Sequence, residues 1–487
     1  MRFLNSNLDA MAPMLCLTLG ALAAMAAEAF RRKGERMPIG WFGIIVLAGA
    51  GLSAGFLWDR NLVAFDVIVA DNFGLFVTFV LVVVGLLTVA FSSQVIHRDG
   101  LPAGEYYALV LFSIAGMMMM AMATDLLVIF IALEILSLAV YVLTGIRRDT
   151  LAGTEAAFKY FLLGAFSSAF FLYGIAFTYG VTGSTRLTAV GAYLSAQSMT
   201  GNPMILIALG LLLVGFSFKI SAVPFHMWTP DAYEGAPAIV TGFMSTGVKA
   251  AAFAAFVRVF LSSFEPFRVP SPAGPGWADV VAAIAIATMV LGTIVGVAQS
   301  SLKRMLAYSS IAHGGYLLIG LVAGNQVGKA SILFYLLVYS VTNLAAFGVI
   351  AMLGARDKPN DSLRDYAGLW HSRPALAALM TVCLLSLGGL PPTAGFIGKW
   401  YIFSAAVSAG YYTLAIIGVL TSVISVFFYL RVVVMMYMSD RDTAHAPAPI
   451  TPVGMAALSL AIVAIFVLGI LPTPVLNLAT RSIATIF

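Results

Sequence analysis

Long apolar runs recur from one end of the chain to the other, and no other feature limits the possible fold as strongly. An apolar helix of about 18 residues or more crosses the roughly 30 Å of hydrocarbon in a bilayer. Of the 487 residues, 61% are hydrophobic and 10% are charged, whereas about a quarter of the residues of a soluble domain are charged. The sequence therefore predicts an all-α polytopic membrane protein in a lipid bilayer. We count fourteen transmembrane spans, at about 8–30, 39–58, 73–96, 105–122, 125–146, 156–180, 203–230, 237–261, 277–298, 302–322, 328–354, 374–408, 411–438 and 453–471.

The Lys and Arg residues between the spans predict the orientation of the chain, because cytoplasmic loops carry an excess of them. With the N-terminus outside, fifteen fall on the inner side and seven on the outer side. Both termini are therefore predicted on the outer side. These charges are scattered over many loops, so the net charge of +5 indicates topology and predicts no nucleic-acid partner. The inner set is Arg31, Arg32, Lys33, Arg36, Arg98, Arg147, Arg148, Lys303, Arg304, Arg356, Lys358, Arg364, Arg373, Arg431 and Arg441, and the outer set is Arg2, Arg60, Arg186, Arg258, Arg268, Lys329 and Arg481.

Six ionisable residues fall inside predicted spans, where a charged side chain costs roughly 2.5–3.5 kcal/mol on insertion scales. One deep carboxylate cannot neutralise four lysines, and burial disfavours the charged form of an amine. We therefore interpret the glutamate and three of the lysines as proton-transfer residues, and the fourth lysine and the histidine as further candidates for this role. The first group is Glu134, Lys219, Lys249 and Lys399, and the second is Lys159 and His313.

Structural roles remain open for these residues. Lys159 lies about one turn into its span, where a lysine can extend its ammonium to the lipid headgroups. A single buried lysine can serve only as the partner of a carboxylate, and His313 can be a packed histidine. The two cysteines lack metal-ligand spacing and no nucleotide-binding motif is present, so we expect no metal site and no cofactor site in this chain.

Two spans contain residues that interrupt helices, one next to Lys219 and the other next to Lys399. Proline removes a helical hydrogen bond and clashes with the preceding turn, and irregular backbone at membrane depth is tolerated only where protein or water satisfies it. We predict that the seventh and twelfth spans are broken beside an ion site, with a packing kink as the alternative. The helix-breaking residues are Pro224 and Pro230 in the seventh span, and Gly389, Pro391 and Pro392 in the twelfth.

The positions of the two breaks also predict an internal symmetry. The broken spans are five spans apart, an odd number, so they run in opposite directions through the membrane. This arrangement predicts two inverted five-helix repeats, made of spans 4–8 and 9–13. The expected organisation is an N-terminal three-helix segment (1–104), a first repeat (105–261), a second repeat (277–438) and a C-terminal helix (439–487).

Five segments together resemble the antiporter-like membrane subunits of respiratory complex I. They are FIALEILSLAVYVL, EAAFKYFLLGAFSSAFFLYG, FKISAVPFHMWTPDAYEGAP, KRMLAYSSIAHGGYLLIG and GLPPTAGFIGKWYIF, and the resemblance covers residues 105 to 435. The N-type subunits of bacterial NADH–quinone oxidoreductase are the most similar, since M-type subunits usually have glutamate at the position of Lys399. The sequence departs from the family after EGAP, where Ala238 and Ile239 replace the common Thr-Pro.

The resemblance implies a proton-translocating subunit of NADH:quinone oxidoreductase in the bacterial cytoplasmic (inner) membrane, driven by redox energy from other subunits. It implies that Glu134 and Lys219 form a modulating ion pair, that Lys249 is the central relay, and that Lys399 lies toward the exit. NADH, FMN, iron–sulfur clusters and quinone are then expected in partner subunits of a heteromeric complex, which contains other antiporter-like and small membrane subunits. Two alternatives are a subunit of a multisubunit sodium/proton antiporter and a non-pumping membrane scaffold.

Overall fold

The computed structural model describes residues 7–30, 38–197, 201–269, 276–354, 361–440 and 451–486, and these residues are largely helical. The helices are α1 (Ala12–Ala29), α2 (Ile39–Leu57), α3 (Asn72–Asp99), α4 (Ala103–Met122), α5 (Leu126–Thr144), α6 (Leu151–Thr182), α7 (Leu187–Ala196), α8 (Pro203–Lys219), α9 (Trp228–Gly235), α10 (Ala238–Ser262), α11 (Trp277–Val297), α12 (Leu302–Ala323), α13 (Gln326–Leu353), α14 (Leu369–Ser372), α15 (Pro374–Gly388), α16 (Ala394–Ser408), α17 (Tyr412–Met438), α18 (Pro452–Ile470) and α19 (Thr473–Ile483). Two short strands, β1 (Leu62–Ala64) and β2 (Ile68–Ala70), form an antiparallel hairpin between α2 and α3.

Twelve of these helices are long and apolar enough to cross a membrane, counted over the described ranges. They correspond to twelve of the fourteen predicted spans. The other two predicted spans are each divided, the seventh into α8 and α9 and the twelfth into α15 and α16. The helical membrane fold and the two predicted interruptions are therefore confirmed. The count of fourteen crossings and the inverted repeats remain predictions.

Burial differs strongly among the long helices and shows where the core lies. Helix α10 is buried along its full length, and α12 and α13 nearly so, while α1, α6, α17 and α18 leave most of their residues at the surface. A helix that is apolar all round is either in a core or in contact with lipid. The core is therefore built on α10 and α12, which carry Lys249 and His313.

Loops that the sequence assigns to the inner side lie together in the fold. Arg98 and Arg147 both pair with Asp99, and Lys303 pairs with Asp361 at 3.1 Å. Burial raises the pKa of Asp361 above its ordinary value, and the Lys303 ammonium partly opposes this shift. These contacts support the assignment of the loops to one common side. The residues of the orientation count that lie outside the described ranges are Arg2, Arg31, Arg32, Lys33, Arg36, Arg356, Lys358 and Arg441.

Arg258 was expected with the outer-side residues, but it is buried at the end of α10. Its guanidinium donates to both carboxylate oxygens of Asp71, each at 2.8 Å, and its Nε donates to the Ala121 carbonyl at 3.1 Å. The same carboxylate accepts from the Gly74 N–H and caps the start of α3. A bidentate, charge-assisted contact of this kind is among the strong hydrogen bonds. It joins the helix of Lys249 to the N-terminal segment.

A short amphipathic helix, α19, follows the last predicted span. Leu476, Ala479 and Ile483 are buried on one side of it, while Asn477 and Arg481 are exposed on the other. This helix packs against α13 and α3. The apolar runs do not predict this helix, because its 11 residues are too few to cross the membrane.

Candidate functional site

Lys219 is the last residue of α8, and its ammonium is buried beside the first interruption. Its Nζ lies 5.5 Å and 5.6 Å from the ring centres of Tyr141 and Tyr160, as in cation–π interactions. Glu134 is near enough to act electrostatically on Lys219, but the two side chains do not contact each other as an ion pair. Glu134 Oε1 and Lys219 Nζ are both buried without a hydrogen-bond partner among the described residues.

The interruption after Lys219 is held by side chains of the protein. The Val223 N–H donates to Thr288 Oγ1 of α11 at 2.9 Å, and the indole N–H of Trp228 donates to the Phe218 carbonyl at 3.0 Å. Backbone groups that leave the helical pattern are therefore satisfied from within the protein, as irregular backbone in a membrane requires.

The predicted helix-breaking residues lie at or next to the two interruptions. Pro224, Pro391 and Pro392 lie between helices, and Gly389 caps the C-terminal end of α15. Pro230 lies in the first turn of α9, where proline is tolerated because its missing N–H would have no partner there.

Lys249 follows a π-helical turn, Met244–Val248, inside α10. Its Nζ donates to the backbone carbonyl of Ser310 and to Ser310 Oγ, the latter at 2.7 Å. The ring centre of Tyr339 lies 5.5 Å from the same nitrogen. Single π-helical turns often occur at functional sites. The sequence carries no signal of this turn.

Lys399 is a residue of α16, and its ammonium lies at the C-terminal end of α15, where the span is interrupted. Its Nζ donates to the carbonyls of Leu387 and Gly388 at 2.8 Å and 3.0 Å, and to Ser422 Oγ at 2.9 Å. The carbonyl end of a helix carries partial negative charge, which favours a cation. Gly389 continues the chain with φ +81°, and a Cβ at this position would lie 2.9 Å from Lys399 Cδ. Both the backbone conformation and the close approach of Lys399 therefore require glycine.

His313 lies between Lys249 and Lys399 and interacts electrostatically with both of them. Its Nδ1 is 2.7 Å from the hydroxyl of Tyr335, and its Nε2 is 3.3 Å from the hydroxyl of Tyr429. The imidazole is buried on all sides, so these hydroxyls fix both its position and the orientation of its ring.

Lys159 is not part of this buried group. Its side chain is 43% exposed and pairs with Glu155 at 2.7 Å and with Asp231 at 2.9 Å. Asp231 also pairs with Arg304 at 3.1 Å, so Lys159 belongs to a surface network of charges.

The arrangement suits proton transfer better than charge balance. Lys219, Lys249 and Lys399 are each at most 4% exposed, and none contacts a carboxylate in the described part of the chain. Hydroxyls contact Lys249 and Lys399, and the imidazole of His313 lies between these two lysines. Over the same residues no group of three or more His, Cys, Asp or Glu side chains is placed to hold a metal. The serine and tyrosine contacts were not predicted, because these residue types are common in helix packing.

Comparison with known proteins identifies close relatives over the full length. Residues 123–425 match the family described as NADH:quinone oxidoreductase/Mrp antiporter, TM. The chain is 44% identical to NADH-quinone oxidoreductase subunit N of Trichlorobacter lovleyi, over 99% of this chain and 98% of the relative. It is 39% identical to the subunit N of Chloroflexus aggregans, over the same shares of both chains.

Solved structures contain the same fold. A chain of respiratory complex I from Thermus thermophilus is 35% identical and superposes with a TM-score of 0.81, covering 96% of this chain and 99% of that one. A chain of the Mrp complex from Dietzia sp. superposes with a TM-score of 0.85 over 98% of this chain and 97% of that one. Its identity is 22%, so this second likeness concerns the fold alone.

Proposed function

This chain belongs to the family of NADH-quinone oxidoreductase N subunits, and from that premise we propose that its buried lysines carry protons across the membrane. The proton-carrying residues are Glu134, Lys219, Lys249 and Lys399, with His313 between the last two. Redox energy from other subunits drives the transfer, and this chain contributes the membrane path.

The observation that carries the proposal is the environment of the three lysines. Each ammonium is buried beside an irregular segment of helix and over a tyrosine ring, and no carboxylate of the described residues contacts it. A lysine that only balanced charge would need a fixed anionic partner, since an unpaired buried ion is expensive. A lysine that alternates between amine and ammonium needs neutral groups that tolerate both states, such as hydroxyls and carbonyls.

The proposal includes the setting of the chain. It is one subunit of a heteromeric complex in the bacterial cytoplasmic membrane, with both termini on the outer side, and it contains two inverted five-helix repeats. NADH, FMN, the iron–sulfur clusters and quinone are bound by partner subunits. The excess of Lys and Arg in the inner-side loops supports this orientation, and the contacts among these loops support their common side. The opposite directions predicted for the two broken spans support the repeats.

Substitution of Lys249 tests the proposal. Lys249→Met removes titration while keeping much of the side chain's volume, and Lys249→Arg keeps the charge but does not release a proton under physiological conditions. We expect both variants to assemble and both to lose NADH-driven proton uptake and the coupled quinone reduction. Lys329→Met, at the start of α13 and away from the three buried lysines, is the matched control and should retain activity. Full coupled activity in Lys249→Arg would show that Lys249 supplies only charge and would end the proposal.

A further inference from the structure

One side of helix α17 is polar, and the contacts described so far account for only part of it. Ser422, Ser425 and Tyr429 follow each other at intervals of three and four residues, so they lie on one side of the helix. They are at most 9% exposed, whereas the opposite side of α17 is apolar and exposed. Burying a hydroxyl is unfavourable unless it is hydrogen-bonded. All three are hydrogen-bonded, Ser425 by donating to the Ser422 carbonyl at 2.6 Å, so they form a polar face inside the protein.

The two ends of this face contact the two titratable groups. Ser422 Oγ accepts a hydrogen bond from Lys399 Nζ at 2.9 Å. Seven residues further along, the Tyr429 hydroxyl lies 3.3 Å from His313 Nε2 and also contacts Ser309 Oγ. The polar face of α17 thus extends from Lys399 to His313.

Next to the middle of this face lie two hydroxyls of neighbouring helices that lack a hydrogen-bond partner among the described residues, those of Tyr316 and Thr293. Tyr316 places its hydroxyl beside Ser422 and Ser425, yet this hydroxyl is buried without a hydrogen bond of ordinary geometry. Thr293 of α11, whose hydroxyl is close to that of Tyr316, is also buried without a partner. Neighbouring buried hydroxyls of this kind are commonly satisfied by an ordered water with two to four polar contacts.

The contacts of Lys399 favour a proton path along this face over a path through Tyr335, on the other side of His313. Of the three oxygens that accept from Lys399 Nζ, those of Leu387 and Gly388 are backbone carbonyls, which accept a hydrogen bond but have no proton to pass on. Ser422 has a hydroxyl, which accepts one proton and donates another. On its other nitrogen, His313 contacts the hydroxyl of Tyr335, which belongs to α13 and not to the polar face of α17.

We propose that protons pass between Lys399 and His313 along the polar face of α17, and that a water bound between Tyr316 and Thr293 completes the path. This inference rests on the proposed function and assigns the connection between two of its residues. For each proton moved, the Lys399 ammonium gives a proton to Ser422 Oγ, and each hydroxyl and the water receive one proton and release one. Tyr429 delivers the last proton to His313 Nε2. Lys399 is left as an amine and His313 as an imidazolium. The same hydroxyls and water carry a proton from His313 to Lys399 when the imidazolium is the donor and the amine the acceptor.

Two tyrosine variants in the assembled complex test the path. Tyr429→Phe and Tyr335→Phe each remove one hydroxyl from the same imidazole and leave the buried ring in place, so each is the other's control. We expect Tyr429→Phe to lower NADH-driven proton uptake by about fivefold, the change that corresponds to one ordinary hydrogen bond. Tyr335→Phe should lower it less, because the Tyr335 hydroxyl positions the imidazole but does not lie on the path. A density map that resolves water should also show one between Tyr316 and Thr293.

Substitutions of Ser422 provide a second measurement that a packing role would not reproduce. Ser422→Ala removes the hydroxyl and should lower proton uptake, while Ser422→Thr keeps it and should restore most of the rate. Two groups on one path are not additive, so the double variant Ser422→Ala/Tyr429→Phe should be no slower than the slower single variant. If Tyr429→Phe fails to assemble, the proton uptake of Ser422→Ala compared with that of Ser422→Thr tests the path.

Three results would overturn the path. These are full proton uptake in both Tyr429→Phe and Ser422→Ala, equal losses in Tyr335→Phe and Tyr429→Phe, and an additive double variant. Lys249→Met, measured beside them, separates this inference from the proposed function. If Lys249→Met loses proton uptake and the α17 variants do not, only the path is wrong. If Lys249→Met pumps normally, the proposed function fails and the path fails with it.

Discussion

Gly389→Ala tests whether the carbonyl contacts of Lys399 are needed for pumping. The added methyl group would lie 2.9 Å from Lys399 Cδ and 3.3 Å from its Nζ, so the side chain has to move away from the carbonyls of Leu387 and Gly388. Left-handed backbone costs a residue with a Cβ about 1–2 kcal/mol. Loss of one hydrogen bond to a charged group costs a further 1.5–3 kcal/mol, approximately.

Gly410→Ala is the matched control for this variant. Gly410 has φ +84°, close to the φ of +81° at Gly389, but a Cβ there meets no atom within 4 Å. Both variants should therefore lose similar thermal stability through the backbone, and only Gly389→Ala should displace Lys399. We expect NADH-driven proton uptake, measured in membrane vesicles with equal amounts of assembled complex, to fall in Gly389→Ala and to persist in Gly410→Ala. Equal proton uptake in the two variants would refute the reasoning.

Two further predictions concern charges outside the proposed proton path. Arg258→Met leaves the buried Asp71 carboxylate without its partner, which costs about 3–5 kcal/mol, so the yield of assembled complex should fall sharply. The control Arg186→Met breaks the exposed pair with Asp66 and should leave the yield unchanged. Equal yields of the two variants would contradict the structural role of Arg258. Lys159→Met removes only exposed ion pairs, worth about 0–1 kcal/mol, so proton uptake should stay within about twofold of the wild type, and a loss as large as that of Lys219→Met would place Lys159 in the relay.

The sequence was sufficient for the fold class and for the buried lysines. Apolar runs of span length define the helices because hydrocarbon thickness sets a minimum length, and proline and glycine clusters located both interruptions. The interior position of Lys219, Lys249 and Lys399 follows from the cost of burying charge in the middle of such runs. These signals are local in sequence, which is why they could be read without a structure.

What the sequence could not provide depends on contacts between distant helices. Helix α6 is apolar all round, so its pattern does not show that Lys159 faces outward. Arg258 stands at the end of a span like a loop residue, and only the fold brings Asp71 to it. Ser310 and Tyr429 resemble ordinary packing residues until α12 and α17 are seen side by side. The π-helical turn before Lys249 likewise leaves no mark in the pattern of residue types.

The contacts of Lys399 also determine how the chain can change during evolution. Two of its three hydrogen-bond acceptors are main-chain carbonyls, those of Leu387 and Gly388. A codon change at position 387 or 388 replaces the side chain and leaves these oxygens in the chain. Ser422 is the one acceptor among the three that a single missense mutation can delete. Substitutions at positions 387 and 388 therefore leave both carbonyl acceptors in place, as long as the path of the backbone through the break is inherited intact.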